Sequence, residues 1–313
     1  MLIVTGGAGF IGSNLVHALN RAGRSDIIVV DDCKDADAFR NLNRCDFLDL
    51  VASDDFIQRL DDFADCEGVF HQGAISATTE KDGRALLRNN IETSKRLLAW
   101  AQAKAIPFLY ASSASVYGNG DDGFRDDDPR CEYPLNGYAF SKWCFDRHVR
   151  RLAGTFRSPV VGLRYFNVYG RQEWHKGGMC SPVLHFHRQI AAEGRLKLFA
   201  GSDGFRRDFV TVEDCCAVNL WFWTHPQISG IFNCGTGQVA SFAEVAHLVA
   251  AEHPQARIEE VPFPDHLKGK YQAYTCADLT RLRAVGYEAP FTPVSMGVPA
   301  YARALKGPTG GYL

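Results

Sequence analysis

The sequence predicts an α/β protein built on a doubly wound parallel sheet, with a smaller α/β substrate-binding domain attached. Three observations carry this. Apolar strand-like runs alternate with amphipathic helical stretches through the first half of the chain. A glycine-rich turn joins the first strand to the first helix. Beyond about Tyr169 the segments become shorter and richer in Gly, Arg and aromatic residues. Strand–helix alternation places crossover helices on both faces of a parallel sheet.

The elements follow in order. Leu2–Thr5 is a short apolar run that ends in glycines, and residues 11–20 have helical periodicity. Residues 26–31 contain Ile-Ile-Val-Val, the pattern of a strand buried on both faces. Gly68–His71, 107–112 and 160–166 read as further strands, with helices over 84–104 and 137–153. In the second half, residues 230–233 and Arg257–Val261 read as strands returning to the main body. Residues 241–251 read as a helix with Ser241 as N-cap. The tail 307–313 reads as frayed. The expected division is a nucleotide-binding domain over 1–168, to which parts of 208–262 return, and a mainly substrate-binding domain over 169–313.

Bulk composition narrows the function classes. The chain has 313 residues, 46% hydrophobic and 22% charged, with a net charge of −2. That balance argues against a general nucleic-acid binder, which carries a strong basic excess. No apolar run approaches the roughly 18 residues of a membrane span. The start MLIVTGG lacks the basic and apolar regions of a secretory signal, so a cytoplasmic protein is expected. The 10 cysteines are scattered without a C-x-x-C pair and read as small buried residues; no metal site is expected.

Gly6, Gly9 and Gly12 follow the first strand and open the first helix with G-x-x-G-x-x-G spacing. Such a turn allows a tight bend, close approach of backbone to a pyrophosphate, and close helix–strand packing. Asp31 ends the second strand, where a carboxylate can accept a hydrogen bond from a ribose 2′-hydroxyl. Lys34 and Arg40 lie just downstream and could serve a 2′-phosphate. A dinucleotide is therefore expected, with NAD and NADP both open at this point.

Tyr138 and Lys142 stand one helical turn apart and share a face. An ammonium beside a phenol favours the phenolate, which could exchange a proton with a sugar hydroxyl while hydride moves to nicotinamide. Ser113 follows an apolar strand, at the sheet end where such folds place ligands.

The glycine turn, Ser113 and the Tyr138/Lys142 pair resemble the extended short-chain dehydrogenase/reductase superfamily. Residues 160–170 (VVGLRYFNVYG), 175–177 (HKG), 205–209 (FRRDF) and 264–272 (PDHLKGKYQ) are further similar to the ADP-L-glycero-D-manno-heptose 6-epimerase family. The resemblance covers nearly the whole chain. It implies epimerisation at C6 of an ADP-heptose through a 6-keto intermediate, with tightly held, recycled cofactor, for heptose supply to the lipopolysaccharide inner core. It implies that Lys176 is a second acid/base group and also touches the cofactor. It further implies cofactor contacts from Phe10, Ile11, Asp31, Asp32, Gln72, Gly73, Ala74, Ile75, Ser76, Asn89 and Val168. Substrate contacts are implied for Ser113, Asn167, His185, Phe199, Ser202, Arg207 and Tyr271. NADP and a homo-oligomer, a homopentamer in the family, are implied as well. Departures bear on the cofactor: Ala38 and Ser53 stand where the family can carry lysines.

Two other functions compete. A UDP-hexose 4-epimerase or related reductase uses Tyr138 and Lys142 but has no need of Lys176. A non-catalytic dinucleotide sensor has no use for the Ser113, Tyr138, Lys142 set. Related 4,6-dehydratases carry acidic groups at the two positions after the serine. Here these are Ala114 and Ser115, which cannot expel water.

Overall fold

A computed structural model describes residues 1–264 and 272–313. Thirteen strands are seen among the described residues: β1 Leu2–Thr5, β2 Ile27–Val30, β3 Asp49–Val51, β4 Gly68–His71, β5 Phe108–Ser113, β6 Val160–Tyr165, β7 Asn167–Tyr169, β8 Arg195–Phe199, β9 Arg206–Arg207, β10 Phe209–Thr211, β11 Gly230–Cys234, β12 Ala240–Ser241 and β13 Arg257–Val261. Seven of them form one sheet in the order β3-β2-β1-β4-β5-β6-β11. Every neighbouring pair in it is parallel. The remaining strands form three two-stranded sheets, β10 with β7, β12 with β9 and β13 with β8.

Alternation along the strands divides the core. Leu2, Val4, Val29, Phe70 and Leu163 pack on one face of the large sheet. Ile3, Ile28, Val69, Phe108 and Val160 pack on the other. Burying each such side chain contributes about 1.5–3 kcal/mol, so both faces are strongly held. A separate core gathers Tyr169, Leu184, Phe186, Leu196, Phe209, Val245 and Val298 around helices Pro182–Glu193, Phe242–Ala251 and Val294–Lys306. Ser181, Thr211 and Ser241 cap helices through their hydroxyls, Ser241 accepting from the Glu244 amide at 3.0 Å.

Three expectations are corrected. Arg257–Val261 is a strand, but it pairs with β8 in the smaller core and does not join the large sheet. Its Arg257, Glu259 and Glu260 side chains are unsuited to a sheet covered on both faces. The stretch 84–104 is helical yet not uniform: Leu87–Glu92 widens into a π-helical turn between Gly83–Leu86 and Thr93–Ala103. The tail is docked, not frayed. Gln172 N–H donates to Gly311 O at 3.2 Å, Arg171 to Tyr312 O at 3.0 Å and the Trp174 indole to Gly310 O at 2.5 Å. These donors satisfy carbonyls that solvent would otherwise compete for.

Candidate active site

Parallel pairing brings the carboxyl ends of β2, β1, β4, β5 and β6 into one row, and the predicted residues follow it. Asp31 succeeds β2, the glycine turn succeeds β1, Gln72 to Ser76 succeed β4, Ser113 ends β5 and Asn167 lies just past β6. Neighbouring strands are about 4.8 Å apart, so Asp31 and Ser113, three strands apart, stand about 14 Å from each other across the row. That is room for an extended ligand.

The turn is built for backbone approach. Gly6 has φ +65, and a Cβ there would lie 2.6 Å from Gly73 N. A Cβ on Gly12 would lie 2.1 Å from Gly6 O. Helix Phe10–Arg21 begins at Gly9 with no acidic residue in its first turn, leaving its positive end for an anion. Asp31 accepts from Ala8 N–H at 3.0 Å and Cys33 N–H at 2.8 Å, which fixes its carboxylate beside this turn. Gln72 accepts from Tyr165 OH at 3.1 Å, while its buried Nε2 has no partner among the described residues, a donor suited to a bound group. These features fit a dinucleotide. Asn90 ties the 72–76 segment down, accepting from Ile75 N–H at 2.8 Å and donating to Ile75 O at 2.9 Å. Asn89, singled out from the sequence, donates to Ala85 O within its own helix, and its half-buried side chain lies one position from this contact.

Ser113, Tyr138 and Lys142 meet at the end of β5. Ser113 Oγ accepts from Ser115 N–H at 3.2 Å and from Ser115 Oγ at 2.9 Å. Burial pushes the Tyr138 phenol upward, and a hydrogen bond with Ser113 counters this. The Lys142 amine, expected to favour the Tyr138 phenolate, donates to Ala111 O at 2.7 Å. Burial pushes Lys142 down to about 8, with Asp146 partly restoring it. Asp146 was not found from the sequence. It lies one turn beyond Lys142 and accepts from Tyr110 OH, Ser112 Oγ and Arg164 Nε, all at 2.9 Å. Arg164 is fully buried and also donates to Tyr117 OH at 2.9 Å and to Glu132. An arginine inside the apolar run of β6 was the available signal.

Lys176 lies in the helical turn Trp174–Met179, with its amine 4.9 Å from the centre of the Phe10 ring. Phe10 opens the helix of the glycine turn, so the second amine stands at the nucleotide cradle. Burial lowers its pKa, opposed by Glu173. Glu173 is itself buried, accepting from Ser181 N–H at 2.6 Å and Ser181 Oγ at 2.5 Å. An amine shifted toward neutrality can exchange a proton.

The predicted substrate residues gather in part. β7 pairs with β10, which sets Asn167 beside the Arg207–Asp208 segment; Asn167 N–H donates to Asp208 O at 3.0 Å. Arg207 is buried and donates to Arg206 O at 3.1 Å and to Gln272 O. Gln272 in turn donates through its side chain to Gly118 O, joining this corner to the loop beyond Ser113. Ser202 donates to Phe199 O, and the Phe199 ring meets Phe263 at 5.7 Å. Val168 is half-buried in β7. His185 is exposed on helix Pro182–Glu193, 3.1 Å from Gln189 Nε2, with no contact to the Arg207 corner among the described hydrogen bonds. Tyr271, and most of the 264–272 stretch, lie outside the described residues.

The profile of the NAD dependent epimerase/dehydratase family matches residues 2–235. The chain is 51% identical over 313 residues to the ADP-L-glycero-D-manno-heptose-6-epimerase of Alkalilimnicola ehrlichii, covering 97% of each chain. It is 51% identical over 319 residues to that of Brachyspira hyodysenteriae, covering 100% of each. The crystal structure of the Helicobacter pylori ADP-L-glycero-D-manno-heptose-6-epimerase superposes with a TM-score of 0.84 at 28% identity, covering 98% of this chain and 96% of that one. The chain belongs to the NAD dependent epimerase/dehydratase family and, within it, to the ADP-L-glycero-D-manno-heptose-6-epimerases.

Proposed function

We propose that the protein interconverts ADP-D-glycero-D-manno-heptose and ADP-L-glycero-D-manno-heptose by inverting C6 through a 6-ketone, within heptose supply for lipopolysaccharide. The observation that carries this is the Lys176 amine, lowered by burial and seated over Phe10 at the nucleotide cradle. A 4-epimerase working through Tyr138 alone has no need of it. The 51% identity to two heptose epimerases supports the same reading.

Inversion requires hydride to leave one face of a carbon and return to the other. A nicotinamide dinucleotide, when bound, supplies the hydride acceptor and donor. The chain handles the proton. Tyr138, hydrogen-bonded to Ser113, takes the 6-hydroxyl proton in one orientation and Lys176 in the other, so the ketone turns between them. Lys142 and Ser113 hold the reacting end, and the buried Arg207 places a guanidinium for the diphosphate-linked moiety. Phe10, Ile11, Asp32, Gln72 to Ser76, Asn89 and Val168 complete the cofactor contacts, and Asn167, His185, Phe199, Ser202 and Tyr271 the substrate contacts. Residues 1–168 chiefly bind nucleotide and 169–313 chiefly bind sugar.

The family resemblance implies NADP, but the ribose end supports NAD. The Asp31 carboxylate is fixed there, the Ala38 side chain is buried, and Ser53 N–H is engaged by Asp32 at 2.9 Å. Lys34 and Arg40 are exposed and paired with Asp32 and Asp37, each at 3.7 Å. No described helix is long and apolar enough to cross a membrane; a cytoplasmic homo-oligomer, a homopentamer, acting on a small ADP-sugar completes the reading.

The test is an NMR time course without added cofactor. Inversion at C6 of an ADP-heptose supports the proposal, and inversion at C4 of a UDP-hexose selects the alternative. No turnover would leave a nucleotide-binding sensor. Mass spectrometry of the dinucleotide released on denaturation decides between NAD and NADP.

A further inference from the structure

The segment that carries Lys176 is fastened to the nucleotide cradle through buried amide side chains. Asn41, 1% exposed, belongs to the turn Ala36–Leu42 that follows β2. Its Nδ2 donates to Ala8 O of the glycine turn at 2.9 Å and faces His175 Nδ1 at 3.1 Å. Its backbone carbonyl accepts from Gln172 Nε2 at 2.8 Å. Three stretches of chain, around Ala8, Asn41 and residues 172–176, therefore close on this residue.

An amide nitrogen has two protons, which suffices for both side-chain bonds. His175 must then present a lone pair on Nδ1 and carry its proton on Nε2. The fastening holds a strained backbone: Gln172 is buried at 2% exposure with φ +73, a conformation unfavourable outside glycine. Asn14 adds a parallel tie, donating to Phe10 O at 2.8 Å and Arg171 O at 3.0 Å. From the far side Arg188 donates to Trp174 O at 2.6 Å and Gly177 O at 2.9 Å, bracketing Lys176.

We infer that Asn41 is a positioning residue for the Lys176 amine, locking the second acid/base group to the turn that holds the cofactor. It acts through His175 and Gln172. This deepens the proposed function and rests on Lys176 serving one face of the sugar carbon. A misplaced Lys176 disables one orientation only, because Tyr138 serves the other. The signature is thus asymmetry between epimers, which a general loss of structure cannot produce.

The experiment uses the protein with its own bound cofactor, and each C6 epimer of the ADP-heptose is supplied separately. Reduced nicotinamide is followed by absorbance in a single turnover, for wild type, Lys176→Met, Asn41→Ala and His175→Ala. Bound dinucleotide per chain is counted after acid release. The expected result is that Lys176→Met slows oxidation of one epimer, and that Asn41→Ala slows the same epimer by about tenfold to a hundredfold, the scale of a displaced catalytic group. The other epimer is oxidised at the wild-type rate, and dinucleotide content is unchanged. His175→Ala, which leaves the Asn41–Ala8 bond intact, shows the same bias more weakly and serves if Asn41→Ala does not fold. Equal slowing of both epimers by Asn41→Ala and His175→Ala, or wild-type rates in both, overturns the inference while Lys176→Met remains asymmetric. Wild-type oxidation of both epimers by Lys176→Met overturns the proposed two-base function and this inference with it.

Discussion

Replacing Arg164 by methionine keeps most of the side-chain volume and removes a guanidinium that is fully buried beneath the site. Three interactions go with it: Nε to Asp146 at 2.9 Å, Nη1 to Tyr117 OH at 2.9 Å, and Nη2 to Glu132. Breaking a buried charge pair by removing one partner costs about 3–5 kcal/mol. Here each carboxylate keeps other donors. Asp146 retains the hydroxyls of Tyr110 and Ser112, and Glu132 retains both Arg150 nitrogens at 2.6 Å. The expected loss is therefore at the lower end, about 3 kcal/mol at neutral pH. The pH dependence has a definite sign. Arg150 and Arg164 outweigh the upward push of burial and hold the Glu132 carboxyl below its usual value. A depressed folded pKa contributes stability above the unfolded carboxylate pKa of about 4.3, and that stability disappears as pH falls through the folded value. Arg164→Met lacks part of that contribution, so the gap between wild type and variant narrows in acid. Urea unfolding at pH values on both sides of this range measures it. A loss under about 1 kcal/mol at neutral pH, or a gap that widens in acid, would refute the claim that Arg164 anchors these carboxylates.

Other outcomes follow from the same geometry. Gly12→Ala, whose Cβ would lie 2.1 Å from Gly6 O, should yield protein with little bound dinucleotide, read from the ultraviolet spectrum after purification. Tyr138→Phe should lower the epimerisation rate by about 10²–10⁴, the usual scale of acid–base catalysis, with unchanged circular dichroism. The Lys142 amine loses its proton as pH rises through about 8, so epimerisation should decline on the alkaline side there, and Lys142→Arg should move that limb upward. Removing residues 309–313 takes away the acceptors of Trp174 and Arg171 and should lower the melting temperature and shift tryptophan emission to the red.

The large sheet was legible because its strands are continuous apolar runs, and a run such as Ile27–Val30 has few other places to go. The glycine turn was legible because its spacing serves one steric purpose. Less was readable where tertiary contacts decide. Asp49–Val51 and Asn167–Tyr169 are three-residue strands fixed by their neighbours, too short to show a period. Arg257–Val261 announced a strand but not its partner, since pairing depends on residues far along the chain. At the site, Tyr138 and Lys142 were visible through helical spacing. Asn41, Asn90, Asp146 and Gln272 were not, because each acts on a segment remote in sequence. The docked tail was missed for a related reason: its backbone carbonyls look unpartnered until Arg171, Gln172 and Trp174 are folded against them.

A crystal structure of the protein with its dinucleotide and an unreactive ADP-heptose analogue probes the two-sided proton exchange most directly. Tyr138 Oη and Lys176 Nζ should each come within about 3 Å of a position the 6-oxygen can occupy, on opposite sides of the sugar carbon. Lys176 Nζ bound to a phosphate oxygen, with Tyr138 alone at the carbon, would contradict the account.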